Sequence, residues 1–509
     1  MQVTATPTFV APASAQSTSV KPADANEAGI TATITPAAND QISFQAREMP
    51  VTYDQAPVFI SGLRDNKAKG QAALSLSNNL LSSLNAASAK KATLSISSVF
   101  GQIAALSRET TEFRNEARRL QVTQEQAVKS SSPNFGLQPT SDNQSVRLSV
   151  KTKDGDQIHI ELLRRNIGVI GSTLEFSFKV DGSLRDAEQK ALGELAEKLG
   201  QMGDEFFRTD TTQLRNLKDI DTSVISSFSF TLKRPAPRDT FVEHSYEFKV
   251  NEQTQTQTLS ASDVRGYKVD ITTDLHTLAE SSNANANALE PYLEIIRQAT
   301  DDANMDNKSR RFILDAFSSM FDQFLYVPKT LETDTAIDAT RASFDSGLPD
   351  FTASISSKVV HNHEFYAQAA MLKLTLEQQT RVESYADTTL IKQESSFELV
   401  NNRFEGIFDI ENREISNPDY RYITEHRSGN VTRTLSMTED RVNNLLLEQN
   451  LEASKTVSVF HNYKLVDTDT DEFSDHKLKH FTEELLALNA NKQFIAINEL
   501  LADTKNISF

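Results

Sequence analysis

The chain has 509 residues, with 70 Asp or Glu against 52 Lys or Arg, a formal net charge of -18 at pH 7, and neither cysteine nor tryptophan. Disulfides and thiolate metal sites are thereby excluded, and general nucleic-acid binding is disfavoured because phosphate contacts need clustered basic side chains. Apolar residues make up 38%, short of the roughly 45–50% of ordinary globular chains, so part of the sequence is expected to lie outside any packed core.

Taken in chain order, residues 1–60 are rich in Ala, Thr, Ser, Pro, Asn and Gln, a composition that buries too little apolar surface to offset chain entropy. A disordered tail is expected there. The opening MQVTATPTFVAPASAQS has no basic lead and no continuous apolar run, so no cleavable secretory signal is expected. No stretch approaches the roughly 18 consecutive apolar residues of a membrane-spanning helix, so no membrane insertion is expected. Cytoplasmic residence is the default reading, and export without a cleavable signal is the alternative.

Residues 61–129 read as a helical arm. Leu74, Leu81 and Leu84 fall at heptad-like spacing, and Ile96, Val99, Phe100, Ile103 and Leu106 follow an i, i+3, i+4, i+7 stripe. Residues 61–140 hold ten Lys or Arg against five Asp or Glu, which makes this the only basic stretch of an acidic chain. A solvated helix face is the bland account of that charge, and a site for an acidic partner is the sharper one. Residues 130–144, SSSPNFGLQPTSDNQ, have the composition of a linker.

Residues 145–238 read as an α+β module. Val146, Leu148 and Val150 alternate, a turn follows at Asp154 and Gly155, and Ile158, Ile160 and Leu162 alternate again, the pattern of a β-hairpin. Leu174, Phe176, Phe178 and Val180 mark a third strand. Ser183 and Asp186 form an S-x-x-D capping pair ahead of a helix with Leu192, Leu195, Leu199, Met202 and Phe206 on one face. A strand through Phe228, Phe230 and Leu232 ends at a break set by Pro235 and Pro237.

A second α+β module is expected over 239–328, with strands at 241–250 and 266–273 and helices at 288–303 and 307–325. The last helix carries Ile313, Phe317, Met320, Phe321 and Phe324 on one face. Its ending matches the spacing of Met202, Asp204 and Phe206, which suggests either a repeated module or coincidence in a Phe-rich chain. Residues 329–509 form a β-rich region opening on a polar loop to 348. Long alternating stretches run through 359–376, 397–410, 420–437 and 457–466, and helices are expected at 475–488 and 491–503, the second facing a core with Phe494, Ile495, Ile497, Leu500 and Leu501. The fold class expected is α+β: antiparallel sheets with helices packed on one face, preceded by the helical arm and the tail.

Candidate chemistry is thin. His361 and His363 share a strand face at i, i+2, but surface pairs of this kind greatly outnumber metal sites. His476 and His480 have helical i, i+4 spacing without the intervening Glu of a zinc-protease helix, since the run is HKLKH. Asp467, Asp469 and Asp471 have the look of a calcium loop, yet Glu472 stands where the turn needs Gly and Leu478 where the loop needs Glu. A helix cap at Ser474 and Asp475 explains those carboxylates without an ion. Phosphate-cradling loops and nucleophile elbows are absent, and the GxxG at Gly168 and Gly171 lies between strands. No catalytic, cofactor-binding or metal-ligating residue is assigned, and no cofactor is expected.

The runs KTKDGDQIHIEL (151–162) and STLEFSFKVDGSLRDAEQKALGELAEKLGQMGDEFF (172–207) resemble a recurring bacterial module of unknown function. In that module a DGD hairpin and an aromatic strand lead into a V-x-G-x-L-x-x-x-E-x-x-A-L helix ending in a Phe pair. The matching positions here are Val180, Gly182, Leu184, Glu188, Ala191, Leu192, Phe206 and Phe207. The resemblance covers residues 145–235 and implies an uncharacterised bacterial protein, with no catalytic residues to carry over. The function expected is a non-enzymatic scaffold or interaction protein whose helical arm, residues 66–128, meets a protein partner. One alternative is a surface- or flagellum-associated structural protein, and another is a metal-dependent or carboxylate-based hydrolase.

Overall fold

Alternation of apolar and polar residues dominates the chain, and in the computed structural model it builds one antiparallel sheet. The structure describes residues 58–64, 70–86, 95–122, 141–167, 171–214, 221–235, 241–274, 288–322, 344, 346, 348–361, 368–406, 419–438, 441–488, 492–493, 496–497 and 500. The tail expected at 1–60 lies almost wholly outside them, as do most of the 130–144 linker and the 329–348 loop. Residues Pro57–Phe509 form one compact unit.

Sixteen strands are present among the described residues. They are β1 (Val58–Arg64), β2 (Glu112–Val122), β3 (Ser141–Thr152), β4 (Gln157–Ile167), β5 (Gly171–Asp181), β6 (Ile225–Pro235), β7 (Phe241–Asn251), β8 (Thr256–Ser262) and β9 (Lys268–Asp274). Then come β10 (Phe351–Ser356), β11 (Val360–His361), β12 (Ala369–Tyr385), β13 (Thr388–Glu405), β14 (Tyr420–Thr438), β15 (Arg441–His461) and β16 (Lys464–His480). Their order is β1-β2-β5-β4-β3-β6-β7-β8-β9-β10-β12-β13-β14-β15-β16, with β11 paired to β12. The regions expected as separate modules at 145–238, 239–328 and 329–509 thus share a single sheet. The molecule is mostly strand with a few helices rather than an even α+β mixture.

Register explains why one face is buried. Directly paired residues of antiparallel strands share a face. One such row runs Phe113, Phe178, Ile160, Leu148, Phe230, Tyr246, Ala261, Val269, Ile355, Leu374 and Leu399. Every member is buried. The neighbouring row on the opposite face includes Ser149, Ser229, Glu247, Ser260, Asp270, Ser354 and Thr375, polar throughout.

Seven helices among the described residues contribute to the same core: α1 (Gln71–Ala86), α2 (Ile96–Phe100), α3 (Ile103–Glu109), α4 (Asp186–Thr209), α5 (Glu290–Asp302), α6 (Asn307–Asp322) and α7 (Thr482–Leu486). The first contacts β1, β2 and β5; α4 lies against β3 and β6, α5 against β12 and β13, α6 against β9, and α7 against β15.

The stretch expected to stand apart as an arm is built into the fold. In α1 the buried line is Ala73, Leu76, Leu80 and Leu84, while Leu74 of the expected stripe is half-exposed. Ile96, Val99, Phe100, Ile103 and Leu106 are buried as expected, but in two short helices broken at Gly101 and Gln102 and pressed against α4. Glycine makes that approach possible. A Cβ on Gly200 would sit 2.8 Å from Ser97 Cα, and one on Gly203 2.7 Å from Ile96 Cδ1. Asp204 then accepts from the N–H groups of Ile96 and Ser97, the latter at 3.3 Å, so one helix supplies the cap of another. Residues 112–122, also placed in the arm by the sequence, form β2 instead.

Two further expectations change. The start of α4 uses a different pair from Ser183 and Asp186: the Arg185 N–H donates to Glu188 Oε2 at 2.9 Å. Arg185 holds the extended backbone of a capping residue, which shifts the helix start to Asp186. The expected 475–488 helix begins only at Thr482, because residues up to His480 pair with β15.

Candidate functional site

Two features carry potential function: the free edge of the sheet at β16 and a cavity behind β7. At the edge, β16 runs for 17 residues and ends the strand order. Its partner β15 joins it through a two-residue turn in which Asn462 and Tyr463 both take positive φ, the geometry that suits a tight hairpin. After His480 the chain turns back over β15, with the Phe481 N–H donating to Leu445 O at 2.9 Å. The outer edge of β16 is therefore left open among the described residues.

All but one residue of β16 is exposed, including Leu465, Val466, Phe473 and Leu478. Phe473 has a special position. The buried row described above continues from Leu399 through Arg427 and Ala453 to Phe473, where it emerges 55% exposed. Beyond Lys464, charge along the strand is segregated. Asp467, Asp469, Asp471, Glu472 and Asp475 precede His476, Lys477, Lys479 and His480. An antiparallel edge presents unpaired N–H and C=O groups, so this strand is a template for another strand.

The long strands β13 and β14 are joined to each other and to α5 by partly buried charge. Glu425 is almost wholly buried and binds Arg403 at 3.2 Å and Arg427, while Asn401 Nδ2 donates to it at 3.3 Å. Arg427 also reaches Asp302 at the end of α5, at 3.0 Å. Nearby, the Tyr292 hydroxyl of α5 lies within hydrogen-bond distance of Gln378 Oε1 at 3.1 Å and Ser395 Oγ at 2.9 Å, and burial pushes its pKa up to about 12.

The cavity, about 660 Å³, lies between the end of α4, β7, the β8–β9 turn, α5 and α6; its walls include Asp210, Thr212, His244, Arg265, Phe312 and Asp315. His244 sits buried between Phe206 and Phe312, with ring centroids at 5.1 and 5.4 Å. Its Nδ1 lies 3.3 Å from the Tyr246 hydroxyl and 3.4 Å from Thr212 Oγ1, and its Nε2 has no hydrogen-bond partner among the described residues. Burial lowers its pKa from 6.5 to about 4, against the opposing pull of the Asp210 backbone and carboxylate. Burial likewise raises the pKa values of Tyr246 and Asp263. A base held so far below neutrality drives proton abstraction weakly at pH 7, and the Thr212 hydroxyl is engaged with Tyr246. This arrangement suits packing better than acid–base catalysis.

The depressed pKa gives a pH prediction. A ring whose folded pKa lies below its unfolded one contributes stability that is complete above pH 6.5 and lost as the pH falls towards 4. The expected slope in that window is up to about 1.4 kcal/mol per pH unit from this one group. Urea unfolding of His244→Phe beside the unaltered chain should show a flatter profile between those limits, and parallel profiles would remove the assignment.

The sequence candidates fall as follows. His361 lies in β11, and His363 is outside the described residues. His476 and His480 belong to β16, where four residues of strand, about 13 Å of rise, separate them rather than one helical turn. Asp467, Asp469 and Asp471 lie on that same strand and project to one face, so they cap no helix. No cluster of three metal-capable side chains occurs among the described residues, and no described helix is long and apolar enough to cross a membrane. Reasoning from sequence missed the free edge and the His244 cavity. The sign-sorted charges of 467–480 were the available signal for the first, and an isolated His between Val242 and Tyr246 was a faint one for the second. Comparison with protein families, curated proteins and solved structures finds no match to this chain.

Proposed function

We propose that this protein is a non-enzymatic scaffold that joins a protein partner by strand addition along β16. The observation that supports this reading is a 17-residue edge strand with four exposed large apolar side chains at the end of an otherwise well-covered apolar face. Charge alone protects many natural edges. Here the charges are sorted by sign along the strand and flank the exposed Phe473 and Leu478, which selects a partner rather than repelling all.

The same reading moves the partner surface away from residues 66–128, whose apolar stripe is buried by the chain itself. Deleting that segment would remove core residues of α1, α2 and α3 rather than a docking arm. The resemblance to a bacterial module of unknown function agrees with a scaffold in bringing no catalytic residue.

The double variant Phe473→Lys with Leu478→Lys tests the edge without touching the core. Affinity purification from the native host should recover a specific partner, another copy of the chain included, with the unaltered protein. Recovery is expected to fall at least tenfold with the variant while its melting temperature stays unchanged. Equal recovery would end the proposal that β16 is the docking surface.

A further inference from the structure

The charge order along β16 is self-complementary under a two-fold axis. We propose that the partner strand is β16 of a second copy, paired antiparallel about Ser474, so that two sheets join into one. The inference rests on the edge reading above and specifies its occupant.

Residue parity sets the first condition. A two-fold perpendicular to the sheet keeps the helix-bearing faces of both copies on one side, and directly paired residues share a face. Odd positions must therefore meet odd positions. Among the registers that satisfy this, centring on Ser474 pairs Asp469 with Lys479 and Asp471 with Lys477, each twice by symmetry. On the other face it pairs Glu472 with His476. No like-charged residues are opposed in this register. Shifting the centre to Phe473 opposes Asp471 to Asp475, and shifting it to Asp475 opposes that residue to itself. Opposed pairs lie about 4.5–5.5 Å apart between Cβ atoms, where opposite charges stabilise and like charges destabilise a sheet.

Apolar continuity agrees with this register. Phe473 pairs with Asp475 of the second copy and lies diagonal to that copy's Phe473, within reach of an aromatic ring. The exposed end of the buried row is thereby covered by its own image. The contact is isologous, so it closes at two copies and leaves no further β16 edge.

Three measurements on the full chain test the proposal. Sedimentation equilibrium should give the unaltered protein twice its 56.6 kDa chain mass, falling towards one chain mass in high salt. The variants Asp469→Lys with Asp471→Lys, and Lys477→Asp with Lys479→Asp, should each be monomeric alone and form a dimer when mixed, because every reversed charge then meets its opposite. Ser474→Cys, in a chain with no other cysteine, should oxidise to a covalent dimer, while Ser458→Cys on β15 should not. A monomeric unaltered protein, or charge variants that dimerise alone as well as they do mixed, would overturn the proposal. A monomer that still loses a captured partner on Phe473→Lys with Leu478→Lys would sink only the self-pairing and leave the edge reading standing.

Discussion

Phe206→Ala is expected to lower the unfolding free energy by about 3–5 kcal/mol, read as a lower urea midpoint at unchanged slope. The ring is wholly buried at the end of α4, edge-on to Phe207 at 4.9 Å and to His244 at 5.1 Å. Three elements meet there: α4, β7 through His244, and α6 through Phe312. Truncation leaves a void beside the existing cavity, and the flanking rings are fixed by their own contacts, so collapse around the gap is limited. Phe207, half-buried one position on, supplies the control: its alanine variant should cost markedly less. A loss at Phe206 below 1 kcal/mol would show that the α4 terminus does not anchor the sheet.

Glu425→Ala is expected to cost a similar amount, about 3–5 kcal/mol, because it strands charge instead of removing apolar surface. Arg403 and Arg427 converge on this carboxylate in a largely buried setting, and Asn401 donates to it. Without it, two guanidiniums lose their shared counter-charge, although Arg427 keeps Asp302 and Arg403 keeps Glu405 at 3.5 Å. A milder outcome is expected for Glu425→Gln, which retains an acceptor and the shape. Guanidinium unfolding of both variants separates these terms, and equal losses would mean that the missing charge carries the whole effect, with nothing owed to the retained acceptor and shape.

How much of this was legible beforehand depends on what each residue had to reveal. The alternation at Val146 to Val150 and at Leu174 to Val180 fixes strand and buried face together, and both hold. The α4 stripe from Leu192 to Phe206 is likewise buried at every position. His476 to His480 misled because β16 buries almost nothing: without an inward face, a strand leaves no alternation to read, and pairing with β15 alone decides its conformation. The apolar stripe from Ile96 to Leu106 was visible, but whether a second helix of the same chain or a foreign surface covers it depends on distant residues such as Gly200 and Gly203. The edge itself is a property of strand order, and the sign-sorted charges of 467–480 signal an exposed segment without giving its place in that order.

Strand order also has a temporal consequence. From β7 onward every strand of the main path pairs with the one just before it, and β12 to β13 and β15 to β16 are joined by two-residue connections. The strands joined by these two-residue connections meet after closing only short segments, so the distal hairpins can assemble early and add to one another like a zipper. Joining β3 to β6 and β9 to β10 instead brings together residues as far apart as Ser145 and Lys233, and Lys268 and Ser356. Those wide closures are the slow ones, and the seams between β3 and β6 and between β9 and β10 are the last parts of the sheet to reach their final state.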